Sequence, residues 1–348
     1  MWDHQFVVFI SPFSTGKTIC LREKARIWAA ENPNKLIYFV VAKETTRRSL
    51  LEMEMKLFFK EADLTNVIVL GLMCDLRDLC HKILTMPAGS WFVDEFVMPK
   101  PEDHTEWAEE LQNLRYYMAS QPDQPLLWIS IAGVLWGHPG HLKRSYLTPL
   151  MSGFHVPVMK IPLRNTMGVL KLAKMDREDT NKITNVTTLK TSSTYSLPSS
   201  LMTGLECIEI KVKRESAIEA TPEVDRAVEA ACKLLLERNE GKGFPIFLDD
   251  LNVEPSSVVT AIKRVVGKVL IYEGQGTRRH KKHSTEAEVE VWLKRWKSGQ
   301  EKRVLVTDRY RSRGWETSSS LVIAFRDWEN LVTRTTSYCV LIKKEEVY

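Results

Sequence analysis

The chain lacks the features of exported and membrane-embedded proteins. None of its apolar runs approaches the roughly 20 residues that a membrane-spanning helix requires. The first residues, Met1–Gln5, carry neither the basic stretch nor the apolar run of a signal peptide. These absences predict a protein with no membrane partner and an intracellular location, in the cytoplasm or the nucleus.

Closely spaced cysteines are also lacking. The six cysteines are scattered along the chain, and no two of them form a Cys-x-x-Cys pair. Structural zinc sites draw on such pairs, and disulfide frameworks belong to oxidising compartments. The expectation is therefore a set of reduced thiols, with Cys74 and Cys80 buried rather than bound to zinc.

A strong charge of either sign is missing too. Lys and Arg number 49 against 44 for Asp and Glu, so the formal net charge is only +5 over 348 residues. Such a balance permits a polyanionic partner without requiring one. Hydrophobic residues make up 44% and charged residues 27%, a composition that excludes global disorder. At about 150 residues per domain, the length predicts two domains.

Strand-like runs alternate with helical stretches in the first half of the chain. Five short apolar runs have the length of buried strands, and they are Val7–Ile10, Leu36–Val41, Val67–Leu70, Trp91–Val93 and Leu126–Ile131. Amphipathic stretches between them have helical periodicity, the clearest being Lys17–Ala30, Thr45–Lys60 and Glu106–Met118. This βαβ series predicts a parallel sheet with helices on both faces.

The alternation stops over residues 176–200, which are rich in Thr, Ser, Asn and Lys and are predicted to form a loop or linker. Six further strand candidates follow, and they are Glu206–Lys211, Phe244–Leu248, Lys268–Tyr272, Arg303–Val306, Leu321–Phe325 and Tyr338–Ile342. The clearest helices between them are Val224–Arg238 and Thr285–Lys297. The predicted fold class is α/β, with two parallel-sheet domains at 1–162 and 163–348 and helices on both faces of each sheet.

A phosphate-binding loop is predicted directly after the first strand. Residues 11–18, SPFSTGKT, match the last three positions of the pattern G-x-x-x-x-G-K-[ST] and have Ser11 in place of the first glycine. Such a loop surrounds an anion with backbone N–H groups at a helix N-terminus, and its lysine and hydroxyl residues serve phosphate and Mg²⁺. The residues predicted to bind ATP and Mg²⁺ here are Ser14, Thr15, Gly16, Lys17 and Thr18, with Thr18 on the metal.

An acidic pair ends the run WFVDE at residues 91–95. Because parallel strands have their carboxyl ends at one edge of a sheet, these acids are expected near the phosphate loop. Asp94 is predicted to help hold Mg²⁺, and Glu95 is predicted to act as the general base that activates the attacking water. The combination of a P-loop and this acidic strand is typical of P-loop NTPases.

Three later segments complete an order of motifs. They are Leu163-Arg164-Asn165-Thr166, then Val304–Asp308 followed by Arg313-Gly314-Trp315-Glu316, then Asn330-Leu331-Val332-Thr333-Arg334. Together with the P-loop and the Asp-Glu strand, they resemble the motifs of superfamily-one helicases, over nearly the whole chain. The resemblance implies two RecA-like domains with ATP in the cleft between them. It also implies that Arg164 and Arg334 act as catalytic arginines on the γ-phosphate, that Arg334 lies on a helix and that Glu316 contacts the nucleotide.

The chain departs from this family at one sensor motif. After the strand Leu126–Ile131 the family has Gly-Asp-x-x-Gln, whereas residues 132–137 read AGVLWG and contain no glutamine. Two interpretations therefore stay open. One is an ATP-hydrolysing, helicase-like enzyme. The other is a nucleotide-gated switch or scaffold with weak or no hydrolysis and a protein partner.

One dense basic cluster occupies residues 276–283, GTRRHKKH. Its cations, Arg278, Arg279, Lys281 and Lys282, are predicted contacts for the phosphates of a nucleic acid. A solvated surface loop is the equally weighted alternative. Trp292 and Trp296, four residues apart on the following helix, are expected to pack in the core rather than to stack on bases.

Overall fold

A computed structural model describes residues 3–10, 16–43, 48–73, 75–97, 104–132, 152–157, 166, 169, 172, 206–212, 222–248, 255–272, 284–308, 310–324, 331–332 and 334–344. These residues form two compact units. Described residues up to 43 and from 51 to 157 make the first unit, and residues 48–50 and those from 166 onward make the second. The predicted linker at 176–200 and the predicted boundary at 162/163 lie outside the described residues.

The first unit is a five-stranded sheet in which all strands are parallel. Its strands are β1 (Phe6–Ile10), β2 (Leu36–Lys43), β3 (Val67–Met73), β4 (Gly89–Val97) and β5 (Leu127–Ala132). Its helices are α1 (Lys17–Glu31), α2 (Leu50–Glu61), α3 (Leu76–Thr85) and α4 (His104–Ala119). The strand order is β1-β5-β4-β2-β3, so β5 separates the strand before the phosphate loop from the acidic strand.

The second unit is a six-stranded sheet, again with parallel pairing throughout. Its strands are β6 (Ile208–Val212), β7 (Pro245–Leu248), β8 (Val269–Tyr272), β9 (Val304–Asp308), β10 (Thr317–Ile323) and β11 (Thr335–Lys344). Its helices are α5 (Pro222–Arg238), α6 (Pro255–Val266) and α7 (Glu286–Lys297). The strand order is β6-β11-β10-β7-β9-β8.

Burial of the apolar strand residues explains why both sheets form. Val7–Phe9 of β1 and Ile37–Val41 of β2 are almost completely buried, as are Val304–Val306 and Leu321–Ile323 in the second unit. Strands buried on both faces need continuous apolar runs, which is the pattern in the sequence. The predicted fold class, α/β with two parallel sheets, is confirmed.

Two predicted bounds need correction. The helix predicted from Thr45 begins at Leu50, because the backbone of Arg48 bonds to side chains of the second unit instead of to helical neighbours. The strand predicted over Leu321–Phe325 begins earlier, at Thr317, where it pairs with Thr335.

Two further expectations concern chemistry and the membrane. Among the described residues, five cysteines are free thiols, and Cys74 is not described. In the same part of the chain, no helix is both long and apolar enough to cross a membrane.

Candidate active site

The start of α1 has the geometry of an anion-binding helix terminus. Gly16 precedes the helix in the left-handed region, at φ 95°, where a side chain would be strained. Its carbonyl accepts the first helical hydrogen bond, from the backbone N–H of Cys20 at 2.9 Å. The first turn of α1 contains no acidic residue, so no carboxylate there offsets the positive end of the helix dipole. Ser14 and Thr15 lie outside the described residues.

Lys17, the first residue of α1, is buried, with only 6% of its surface exposed. A lysine is rarely buried in a protein unless its charge is compensated. Its positive charge acts on the carboxylate of Asp94. The structure therefore brings Lys17 of the loop and Asp94 of the acidic strand together, as the sequence predicts.

The acidic strand does not end at the two carboxylates. It continues to Val97, and the pairing with β5 shifts between Val93 and Phe96. Val93 pairs with Ile129 and Phe96 pairs with Ile131, so Asp94 and Glu95 together oppose one residue of β5. This arrangement is a β-bulge, a feature that re-aims side chains and occurs often beside active sites.

The bulge explains how neighbouring acids act at one place. In a regular strand, Asp94 and Glu95 would point to opposite faces of the sheet. Glu95 instead has φ 59°, which is uncommon for a residue with a side chain. Both residues are buried, at 0% and 7% exposure, and the charge of Glu95 raises the pKa of Asp94.

Asp94 is a buried carboxylate, and one of its two oxygens has no hydrogen-bond partner. Its Oδ1 accepts the backbone N–H of Glu95 at 3.0 Å, whereas its Oδ2 is buried and has no hydrogen-bond partner. Burial, followed by the charge of Glu95, raises the pKa of Asp94 to about 6. The hydroxyls of Thr18 and Ser130 and the charge of Lys17 act in the opposite direction, although neither hydroxyl is placed to form a well-directed hydrogen bond with Oδ2.

This set of groups fits a magnesium ion with a phosphate. Mg²⁺ is bound through one or two carboxylates together with phosphate oxygens, and it needs hard oxygen donors. The open Oδ2 of Asp94 and the hydroxyl of Thr18 are donors of that kind. The cation of Lys17 and the start of α1 suit the negative charge of the phosphates.

No protein-family model matches the chain, and no curated protein matches it in sequence. Solved structures with a similar fold include the DUF1998 helicase MrfA bound to DNA, with TM-score 0.48, 11% identity and coverage of 98% of this chain and 47% of that one. Dbp5 of S. cerevisiae bound to RNA and ADP BeF3 is similar with TM-score 0.47, 10% identity and coverage of 98% and 80%.

The Hef helicase domain of Pyrococcus furiosus is a further similar structure, with TM-score 0.37, 9% identity and coverage of 99% and 94%. These are likenesses of fold at TM-scores below 0.5. The functional interpretation therefore rests on the geometry of the site itself.

The second unit brings two other predicted residues side by side. Glu316 directly precedes Thr317 and Arg334 directly precedes Thr335, and these two threonines pair in the ladder between β10 and β11. The backbone N–H of Thr317 donates to the carbonyl of Arg334 at 2.9 Å. Glu316 and Arg334 thus sit at the amino ends of neighbouring strands, and the side chain of Arg334 is buried.

The local structure around Arg334 corrects the expectation of a helix there. Leu331 and Val332 are helical, but Arg334 lies in a turn that leads straight into β11. Its N–H donates to the carbonyl of Leu331 at 3.1 Å, which closes the turn. Pairing of the next residue with β10 ends the helix at this point.

Contacts of Asp308 and Trp315 hold the backbone between β9 and β10 over residues 310–316. Asp308 accepts the backbone N–H of Arg311 at 2.8 Å, and its carbonyl accepts the hydroxyl of Ser312 at 2.8 Å. Trp315 is fully buried against the rings of Trp292, Trp296 and Phe247. These contacts hold the backbone that carries Glu316.

The tryptophans of α7 pack as expected. Trp292 is completely buried and donates its Nε1–H to the carbonyl of Arg303 at 2.9 Å. Trp296 stacks on Trp292, with ring centroids 5.7 Å apart. These two rings therefore belong to the core of the second unit.

Sequence reasoning missed Ser130. It is the residue of β5 that faces the bulge at Asp94 and Glu95, and it is completely buried with no hydrogen bond to its hydroxyl. Its signal in the sequence was weak but present, because it is the only polar residue in the run LWISIA. A single hydroxyl inside a fully buried strand is expensive unless it has a function or a partner.

Several predicted residues lie outside the described part of the chain. They are Arg164 and the four basic residues Arg278, Arg279, Lys281 and Lys282. Two cations at and just after the end of β2, Lys43 and Arg48, are described and are paired with carboxylates. Lys43 is 3.4 Å from Glu52, and Arg48 is within 3.4 Å of both Glu286 and Glu290.

Proposed function

We propose that the protein binds and hydrolyses ATP as a helicase-like P-loop NTPase that acts on nucleic acid. One observation carries the proposal. The buried Oδ2 of Asp94 has no donor, and it belongs to a carboxylate on which Lys17 and Thr18 both act. A buried carboxylate oxygen without a hydrogen bond costs stability, and a bound cation would offset that cost.

The first unit supplies the groups for the phosphates and the metal. The backbone around Ser14, Thr15 and Gly16 receives the phosphate oxygens at the positive end of α1, and Lys17 neutralises the β- and γ-phosphates. Thr18 and Asp94 hold Mg²⁺. A bound Mg²⁺ would offset the negative charge that develops on the phosphates during phosphoryl transfer.

Glu95 acts as the general base in this proposal. Its carboxylate accepts a proton from the attacking water, and the bulge at Glu95 sets the direction from which it does so. Its low exposure, 7%, limits competition from bulk solvent. Proton acceptance by a placed carboxylate typically contributes about 10² to 10⁴ in rate.

The second unit contributes the remaining residues. Arg334 and Arg164 stabilise the transferring phosphoryl group, and Glu316 contacts the nucleotide. These roles come from the resemblance to superfamily-one helicases, and the adjacency of Glu316 and Arg334 on paired strands supports a joint role. Arg278, Arg279, Lys281 and Lys282 bind the phosphates of the nucleic acid, so each lost contact lowers the salt slope of binding by about 0.7 to 0.9.

The test compares two lysines of one helix. Lys17 and Lys24 are both largely buried in α1, but Lys24 lies over the rings of Trp28 and Trp128, away from the site. Binding of Mg-ATP and steady-state hydrolysis are measured for the wild type, Lys17→Met and Lys24→Met, with and without single-stranded DNA or RNA. We expect Lys17→Met to lose nucleotide binding and Lys24→Met to retain it.

The outcomes separate the interpretations. Binding with hydrolysis that nucleic acid stimulates supports the proposal in full. Binding without hydrolysis points to the nucleotide-gated switch instead. A wild type that does not bind ATP, or equal binding by the wild type and Lys17→Met, overturns the proposed site.

A further inference from the structure

Two cysteines of the second unit, Cys207 and Cys339, face each other across neighbouring strands. Cys339 belongs to β11, and Cys207 directly precedes β6, which pairs with β11 alone among the described strands. The ladder between these strands begins with Ile208 opposite Val340. One step earlier, the same parallel register places Cys207 opposite Cys339.

A hydrogen bond shows how closely the two residues approach. The backbone N–H of Cys339 donates to the sulfur of Cys207, with 3.3 Å between nitrogen and sulfur. In a regular parallel ladder, this N–H would donate to a backbone carbonyl of the neighbouring strand. The side chain of Cys207 takes the place of that carbonyl, so its sulfur lies against the residue that carries the second thiol.

Both thiols lie on the same face of the sheet. The next residue of each strand packs into the core formed with α5 and α6. Side chains alternate between the two faces of a strand, so Cys207 and Cys339 extend to the opposite face. Glu209 and Lys343, which also lie on that face, form an ion pair across the two strands at 3.3 Å.

The spacing of the backbone suits a disulfide. Neighbouring strands lie about 4.8 Å apart, and bridged cysteines have Cα atoms about 4.4 to 6.8 Å apart. Both residues are free thiols in this structure. Burial, followed by the neighbouring Cys207, raises the pKa of Cys339. A bond between the two sulfurs therefore requires rotation of side chains and no movement of either strand.

The two thiols differ in their access to solvent. Cys339 is completely buried, whereas Cys207 is partly exposed. An oxidant in solution therefore reaches Cys207 first, and Cys339 reacts only with a sulfur that is already at Cys207. Burial raises the pKa of Cys207, so the thiolate is scarce at neutral pH and the first step is slow.

We propose that Cys207 and Cys339 form a reversible redox pair, which a small disulfide such as oxidised glutathione converts into an intramolecular disulfide. The thiolate of Cys207 attacks one sulfur of oxidised glutathione and releases a first glutathione thiolate. The thiolate of Cys339 then attacks the sulfur of Cys207 and releases the second. Two protein thiols are oxidised, one glutathione disulfide is reduced to two glutathione molecules, and these take up the two thiol protons.

The bond would tether an edge strand. β6 lies at the end of its sheet, where β11 is its neighbour. The disulfide would also close the long loop from residue 207 to residue 339, and cross-links that close long loops restrict the unfolded chain most. We therefore expect oxidation to raise the midpoint of thermal unfolding. This inference is independent of the proposed nucleotide chemistry.

The first test maps the bond in the full chain. The protein is incubated with oxidised glutathione, the remaining thiols are alkylated, and unreduced peptides are identified by mass spectrometry. We expect a peptide pair joined through Cys207 and Cys339, which dithiothreitol separates. The matched control is Cys80→Ser, because Cys80 is also partly exposed and burial also raises its pKa. This variant should give the same joined pair as the wild type.

The second test follows the order of the two steps. In Cys339→Ser, no thiol resolves the mixed disulfide at Cys207, so glutathione bound there should exceed the wild-type level by at least about tenfold. In Cys207→Ser, the buried Cys339 should stay unmodified. Adding Ile208→Cys to Cys207→Ser moves the thiol to the opposite face of the sheet, and this double variant should form no bond with Cys339.

Three results would overturn the inference. The first is a wild type in which Cys207 and Cys339 stay unjoined in oxidised glutathione. The second is an equal amount of glutathione on Cys207 in the wild type and in Cys339→Ser, which would exclude Cys339 as the resolving thiol. The third is equal cross-linking in the wild type and in the double variant with Ile208→Cys, because unfolding and not the native register would then bring the thiols together.

Discussion

Two buried aspartates, one in each unit, have opposite surroundings. Asp94 on β4 and Asp308 at the end of β9 are both completely inaccessible to solvent. Asp308 accepts the N–H of Arg311 at 2.8 Å and shapes the loop that follows. Asp94 keeps its Oδ2 without a partner.

The two carboxylates differ in whether their buried oxygens find hydrogen-bond donors. A buried acceptor that finds its donor stabilises the local backbone, whereas an acceptor left open costs free energy. The second unit uses its aspartate to build a loop. The first unit leaves the Oδ2 of its aspartate without a donor, and the bulge beside it adds backbone strain at Glu95.

The largest expected effect is on turnover. Glu95→Gln removes the proton acceptor but keeps the size of the side chain, so we expect ATP binding to persist and the hydrolysis rate to fall by at least about 10². Single-turnover hydrolysis and equilibrium nucleotide binding measure the two quantities separately. Unchanged turnover would remove Glu95 from its proposed role and make the acidic pair purely structural.

The next effect is on the stability of the second unit. Asp308→Ala leaves the N–H of Arg311 buried without an acceptor, and we expect unfolding free energy to fall by about 2 kcal/mol. Asp308→Asn retains an acceptor oxygen and serves as the matched control with a smaller loss. Denaturant unfolding measures both variants. Equal stability of the wild type and Asp308→Ala would end the distinction drawn between the two aspartates.

Asp94→Asn should raise the free energy of unfolding, whereas Asp308→Ala lowers it. Without metal or nucleotide, we expect the variant to be more stable than the wild type by about 1 to 2 kcal/mol at pH 8, because burial of the Asp94 carboxylate and repulsion by Glu95 outweigh its attraction to Lys17. The folded-state pKa of about 6 lies above the ordinary value, so the wild type loses stability as the pH rises from about 4 to 6. Thermal unfolding in EDTA should therefore show that the stability difference between Asp94→Asn and the wild type grows from about pH 4 to 6 and is constant at higher pH.

The smallest effect concerns Ser130. Its buried hydroxyl has no hydrogen bond, so Ser130→Ala should change the unfolding free energy by less than about 1 kcal/mol. If the hydroxyl helps to orient Asp94, the Mg²⁺ concentration for half-maximal hydrolysis should rise several-fold. Ser90→Ala is not an equivalent control, because the Ser90 hydroxyl bonds to Trp28 and Leu126. The matched control is Ser130→Thr, which keeps a hydroxyl at the position, and we compare its Mg²⁺ dependence with that of Ser130→Ala.

The strands could be predicted because their signal is local. Fully buried parallel strands such as Leu36–Lys43 and Val304–Asp308 require apolar runs, and those runs are visible in the sequence. The acidic strand was predictable for the same reason, since its motif is contiguous. The proximity of Lys17 to Asp94 followed from the parallel arrangement of their strands.

The features that could not be predicted depend on contacts between distant residues. A bulge at Asp94 and Glu95 leaves no pattern in the strand itself, because it is a change of register against Ile129 and Ile131. The placement of Arg334 in a turn depends on the pairing of Thr335 with Thr317. Such outcomes are set by tertiary pairing, which overrides local propensity.

The short segment at residues 48–50 has a practical consequence for dissecting the molecule. Its backbone bonds to Tyr272, Glu286 and Arg311, although the described residues before it, up to 43, and after it, from 51 to 157, belong to the first unit. A fragment cut near residue 163 would carry this segment without the acceptors and donors that it uses. Truncation is therefore a poor way to isolate either unit, and the intact chain is the smallest piece in which every described residue keeps its native neighbours.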